Sequence, residues 1–128
     1  MEQINKKAFH DYEVLEKYEV GIVLEGAEVK SIHKGKVNLK GSFCKFFKDE
    51  LFAIDIHISK FEHENSWSKH DEKRPKKLLL KRKELTKLQS KVQEQGLTLI
   101  PLKVYFNDRR KCKIQLGLCK GKKLYDKR

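Results

Sequence analysis

The sequence predicts a mainly β fold with helices: a small closed antiparallel barrel of about six strands, accompanied by two or three helices. Three observations carry this expectation. Several short segments alternate apolar and polar residues, so each offers a single apolar face. Two other stretches place apolar residues three and four apart and stop at a glycine, as helices do. The chain has 128 residues, 38% apolar and 38% charged, which suits one core under a crowded ionic surface. Strands with one apolar face each bury those faces most economically by curling around a shared interior, in an OB-like barrel.

Residues 1–8, with Asn5-Lys6-Lys7, show no periodicity and read as a basic arm. Phe9 to Leu15 and Tyr18 to Leu24 read as a hairpin turning at Glu16-Lys17, its second strand facing inward through Val20, Ile22 and Leu24. Gly21 within that strand points to a bulge or a close approach, a bulge being the commoner cause. Gly26 to Lys34 fits a short helix: Glu28 suits the positive end of the helix dipole, Val29 and Ile32 share a face, and Gly35 terminates it. Asn38 to Lys48 and Leu51 to Ser59 form a second hairpin across Asp49-Glu50. The latter segment alternates most clearly, with Phe52, Ile54, Ile56 and Ile58 on a core face and Ala53, Asp55, His57 and Ser59 on the other. Lys60 to Pro75 is a polar connection, long enough to be functional, which Trp67 pins to the barrel.

A helix over about 82–95 follows, with Leu85, Leu88 and Val92 on one stripe and Gly96 after it. No Ser, Thr, Asp or Asn stands near Lys81 to cap its start. Leu97 to Phe106 is the next strand, where Pro101 shifts the apolar phase from Leu97 and Leu99 to Leu102, Val104 and Phe106, as a bulge or an edge position would. A turn at Asn107-Asp108 leads to the final strand through Cys112, Ile114, Leu116 and Leu118. The whole reads as a single domain.

The net charge is +12, unevenly distributed. Residues 1–64 hold 10 Lys and Arg against 12 Asp and Glu, whereas residues 65–128 hold 20 against 6. Such a balance predicts a polyanionic partner, met by the second half of the chain. No apolar run approaches the ~20 residues of a membrane span, and none follows Met1 as an export signal would. The chain is therefore expected to be soluble and cytoplasmic, with no membrane partner. Cys44, Cys112 and Cys119 are odd in number and lack C-x-x-C spacing, so they read as reduced packing thiols. No heptad or long apolar face argues for more than a monomer.

The chemistry-bearing residues are chiefly cations. Lys73, Arg74, Lys76 and Lys77, then Lys81, Arg82 and Lys83, then Arg109, Arg110, Lys111 and Lys113, and finally Lys120, Lys122, Lys123, Lys127 and Arg128 form clusters suited to phosphate contacts. His57, His63 and His70 lie near Glu62, Glu64 and Asp71 but follow no metal-ligand spacing. His10-Asp11 and His57 are the only acid–base candidates, and neither accompanies a nucleophile motif. An adjacent His-Asp pair on a strand would point to opposite faces. The residues thus favour a binding protein without cofactor or metal over an enzyme.

Extended segments carry a more specific signal. They include Asn5-Lys6-Lys7-Ala8, His10-Asp11-Tyr12, Gly21-Ile22-Val23-Leu24-Glu25-Gly26-Ala27-Glu28-Val29-Lys30-Ser31 and Gly35-Lys36-Val37-Asn38-Leu39. They continue in Arg74-Pro75-Lys76-Lys77-Leu78-Leu79-Leu80, Gly96-Leu97-Thr98-Leu99-Ile100-Pro101-Leu102 and Gly117-Leu118-Cys119-Lys120-Gly121-Lys122-Lys123-Leu124-Tyr125-Asp126-Lys127-Arg128. In these the chain resembles the SmpB family, bacterial proteins that bind transfer-messenger RNA (tmRNA) in ribosome rescue. The resemblance implies an OB-type barrel that clasps the tRNA-like domain of tmRNA, stands where an anticodon arm would stand, and enters a stalled ribosome with it. It implies no bond-breaking chemistry.

By family position, Asn5, His10, Tyr12, Glu19, Leu79 and Lys113 resemble residues tied to RNA binding, with the basic Lys76, Lys77, Lys120, Lys122 and Lys123 extending that surface. Glu19 cannot hold phosphate; a carboxylate accepts hydrogen bonds from base amino groups or a ribose hydroxyl, or else positions a neighbouring cation. Leu79 could pack against a splayed base or belong to the core. Asp126, Lys127 and Arg128 match the family segment that acts during accommodation on the ribosome. Family members usually continue into a further basic tail, which this sequence lacks after Arg128, and Phe43 stands where a Tyr is common. The rival reading is a generic OB-like translation factor that binds ribosomal RNA.

Overall fold

The computed structural model describes residues 2–59 and 73–121. In chain order the elements are β1 (Glu2–Ile4), α1 (Lys6–Asp11), β2 (Tyr12–Ile22), α2 (Gly26–His33), β3 (Val37–Asn38), β4 (Phe43–Phe47), β5 (Glu50–Ile54), β6 (His57–Ile58), β7 (Lys76–Leu79), α3 (Arg82–Gln95), β8 (Thr98–Phe106) and β9 (Cys112–Gly121). Seven strands form one antiparallel sheet in the order β1-β8-β9-β2-β7-β5-β4, and β3 pairs with β6 apart from it.

The expected closed barrel does not form. The sheet curls far enough for β4 to approach β8, but among the described residues no ladder joins them, and β1 and β4 remain edges. The reason lies on β8. Its outer edge is already occupied by β1, which pairs with residues 103–105. The Asn5 N–H then donates to the Leu102 carbonyl at 2.8 Å, and Pro101 has no N–H to offer a closing strand. Residues 2–8 are therefore structured as strand and helix start, where the sequence suggested an arm.

The expected first hairpin is also replaced. Tyr12–Ile22 is one strand that runs through Glu16 and Lys17, which pair with Leu118 and Gly117. A bulge between Val14 and Glu16 absorbs the break in alternation that a turn would otherwise explain. The second hairpin does form, around Lys48-Asp49 with φ of 51° and 63°, the mirror-image turn that suits strand twist. Its second strand ends early, because Asp55 adopts a φ of 62°. That kink switches the phase. Leu51, Ala53, Ile56 and Ile58 are buried, while Phe52 and Ile54, expected in the core, are only half-buried.

Both helices read from periodicity are present. Gly35 and Gly96 follow α2 and α3 with φ of 75° and 65°, a conformation that costs glycine little. The missing cap of α3 is supplied in reverse: the Glu84 carboxylate accepts from the Lys81 N–H at 3.3 Å. Leu88 of α3 is fully buried, a contribution of about 2 kcal/mol relative to exposure.

The sheet separates two apolar layers. On its inner face Val20, Leu99, Val104, Ile114, Leu116 and Leu118 join Leu51, Ala53, Leu78 and the α2 and α3 residues Ile32 and Leu88. On its outer face Ala8 of α1 packs with Ile100, Leu102 and Cys119 in a smaller cluster. The predicted shift at Pro101 is a bulge between Pro101 and Lys103, and β8 supplies both layers, Leu99 and Val104 to the inner one and Ile100 and Leu102 to the outer.

Candidate nucleic-acid interface

Cross-strand partners project from the same face of a sheet, so the register alone assembles a row. Glu2 pairs with Tyr105, Tyr105 with Lys113, Lys113 with Gly21, and Gly21 with Leu79. A neighbouring row runs Ile4, Lys103, Gln115 and Glu19. These residues alternate with the core residues Val20, Ile114 and Val104, so both rows lie on the outer face, beyond the part that α1 covers. Glu19, Leu79 and Lys113, far apart in the chain, come together here. Leu79 is 52% exposed, which removes it from the core.

The face has a definite electrostatic order. The Tyr105 hydroxyl donates to Glu19 Oε2. Burial, and secondarily that bond, push the Tyr105 hydroxyl up to about 12, so it remains a donor at neutral pH. Lys103 stands 3.5 Å from the Glu2 carboxylate. Gln115 Oε1 is buried with no hydrogen-bond partner among the described residues. Sequence reasoning missed Tyr105, Lys103 and Gln115, although the polar positions alternating with Val104 and Ile114 hold their signal. The β8–β9 turn adds cations beside Lys113. Asn107 Oδ1 accepts from the Arg109 and Lys111 N–H groups at 3.0 and 2.9 Å, leaving the Arg109, Arg110 and Lys111 side chains exposed.

A second group surrounds α1. Asn5 is 3% exposed and spends its side chain on the backbone: Oδ1 accepts from the Ala8 N–H, and Nδ2 donates to the Leu39 and Pro101 carbonyls at 3.1 and 2.9 Å. It caps α1 and ties it to two other segments. Tyr12 and Asn5 line a cleft of about 360 Å³ with Ser42, Phe43, Thr98 and Ile100. His10 is exposed on α1, and its Nδ1 lies 2.9 Å from Asp11 Oδ1. The pair belongs to a helix end, so the two side chains do meet, contrary to the strand-based expectation. Asp11 is also held by Lys7 at 3.0 Å, one helical turn away.

The cations differ in availability. Lys76 is completely buried on the inner face, where its Nζ donates to the Ile56 carbonyl at 2.9 Å. Lys77 faces outward and pairs with Glu50 at 2.9 Å. Lys120 is exposed opposite Glu13. Lys122, Lys123, Asp126, Lys127 and Arg128 lie outside the described residues, as do Trp67, His63 and His70. Among the described residues no three His, Cys, Asp or Glu side chains are grouped to hold a metal, and no helix is long and apolar enough to cross a membrane. Burial raises all three cysteine thiols, Cys112 to about 12 and Cys119 to about 11.

The profile of the family described as SmpB protein matches residues 3–128. The chain belongs to the SmpB family. This member is 56% identical to an SsrA-binding protein from a Nitratiruptor species over 97% of its own length and 83% of that relative. It is 52% identical to the SsrA-binding protein of a Sulfurovum species, over 97% and 81%. A solved chain from "tmRNA-SmpB: a journey to the center of the bacterial ribosome" superposes with a TM-score of 0.80 at 48% identity, covering 99% of this chain and 88% of that one.

Proposed function

We propose that this SmpB-family chain binds the tRNA-like domain of tmRNA through the outer face of its sheet and accompanies that RNA to stalled ribosomes, where incomplete proteins are tagged. The observation that carries this is the convergence of Glu19, Leu79 and Lys113 around Gly21, beside the basic β8–β9 turn. In this reading Lys113 neutralises a phosphate, and Glu19, oriented by Tyr105, accepts from a base amino group or a ribose hydroxyl. Leu79 lies against an unstacked base. His10 and Tyr12 extend the surface along α1, while Asn5 and Lys76 serve it by holding α1 and β7 in place. Lys77, Lys120, Lys122 and Lys123 add charge, and Asp126, Lys127 and Arg128 act after binding, during accommodation. The chain is an RNA-binding protein rather than an enzyme, working in the cytoplasm as one domain.

The test is binding to the isolated tRNA-like domain with bulk tRNA as competitor across a salt series. Binding should resist the competitor and weaken with salt. Lys113→Ala should reduce the slope of log affinity against log salt by about 0.7–0.9, one phosphate contact. Equal affinity for every RNA would instead favour the generic ribosomal-RNA-binding factor.

A further inference from the structure

The outer face continues past Leu79. Lys77, two residues before it, pairs with Phe52, and Phe52 pairs with Lys45, so the same face extends over β7, β5 and β4 to the sheet edge. There β4 presents Phe43, Lys45 and Phe47 at alternate positions, with Phe52 and Ile54 of β5 beside them. Phe43 is 37% and Phe47 58% exposed. The Phe47 and Phe52 rings meet edge to face at 6.5 Å, and Lys48 Nζ stands 5.4 Å from the Phe47 ring centre. Together with Lys45, Ile54 and Pro75 the two rings line a shallow cleft of about 350 Å³.

We infer that this hairpin face is a stacking platform for unpaired RNA bases, separate from the Glu19–Leu79–Lys113 group. Two exposed rings on one strand, roughly 13 Å apart with a lysine between them, combine a π-surface with a nearby counter-charge. Protein-binding patches are depleted of lysine at their centres; here Lys45 sits between the rings and Lys48 stands over one of them. The platform is also continuous, through Lys77, with the face proposed to hold the tRNA-like domain, and in that respect it rests on the proposed function. Base stacking needs no sequence, so the platform serves whatever single strand lies next to that face.

The probes are an adenosine RNA decamer and an abasic decamer of the same length, titrated against the full chain. The expected result is tighter binding of the adenosine strand, with Phe47→Ala lowering its affinity about tenfold while leaving the abasic strand unchanged. Phe47→Tyr should bind as the parent does and Phe47→Leu as Phe47→Ala does. Equal binding of the two decamers, or full affinity retained by Phe47→Ala or Phe47→Leu, overturns the platform. Lys113→Ala separates the two readings. It should weaken tRNA-like-domain binding and preserve the preference for adenosine over abasic RNA, whereas loss of that preference in Lys113→Ala overturns the platform as a separate site.

Discussion

Leu79 lies across Gly21. The two are cross-strand partners, and a Cβ built on Gly21 would stand 3.3 Å from Leu79 Cδ1. Gly21 adopts no left-handed conformation; its lack of a side chain makes room for a neighbour. Gly21→Val should therefore displace Leu79 and weaken binding of the tRNA-like domain. Because Leu79 is exposed and free to move outward, the cost in stability should stay below about 1 kcal/mol. Parallel urea titrations and RNA binding assays check the two halves of this expectation.

Asn5 should behave in the opposite way. Asn5→Ala removes a helix cap and leaves the Leu39 and Pro101 carbonyls without their donor, a loss of about 2 kcal/mol. RNA affinity should fall only as far as folded protein is lost, so binding measured at low temperature should recover. A binding defect at full stability would show that Asn5 touches RNA directly.

Glu28 and Arg74 form the most deeply enclosed ion pair among the described residues. Glu28 is 1% exposed, accepts the Glu25 N–H at 2.8 Å and binds Arg74 Nε at 3.2 Å. Arg74→Ala leaves a buried carboxylate without its cation and should destabilise the chain by about 3 kcal/mol. Thermal unfolding with and without the substitution measures this.

Two tyrosines set an alkaline limit. Burial, and then the carboxylates of Glu16 and Glu19, raise Tyr18 and Tyr105 to about 12. A folded-state value above the unfolded one of about 10 stabilises the fold below that lower value, and the benefit is lost as pH climbs through 12. Denaturant midpoints should fall over this window. Tyr105→Phe should fall less steeply and lose one late tyrosinate step in an absorbance titration.

Much of this was legible in the sequence, for local reasons. Helices α2 and α3 announced themselves through Ile32, Leu85, Leu88 and their terminal glycines, and Pro101 marked its bulge. Features that depend on distant partners were not legible. Nothing near Asn5 shows that it bonds to Leu39 and Pro101, and the alternation of Phe52 to Ile58 runs unbroken on paper because the turn at Asp55 is a backbone choice. Barrel closure failed as an inference because apolar alternation counts faces and says nothing about which edge is already taken. Glu28 was read as a dipole partner, and its pairing with Arg74 needed the fold. At the site, the family positions Glu19, Leu79 and Lys113 could be named but not grouped, and Tyr105 stood at an alternating polar position whose partner, Glu19, only the register supplies.

The two bulges flank β9, at Val14–Glu16 on one side and Pro101–Lys103 on the other. They divide a single alternating strand into two jurisdictions. Toward Cys119 its outward side chains lie under α1 and answer to folding; toward Lys113 the same alternation meets solvent and answers to a ligand. A residue deleted from the regularly paired part of β2 or β8 would turn the side chains beyond it to the opposite face of the sheet, moving cations beneath the helix and apolar groups into water. Deletion of a regularly paired residue such as Tyr18 should thus be tolerated far less than deletion of Leu15, which is exposed and has no partner in the ladder.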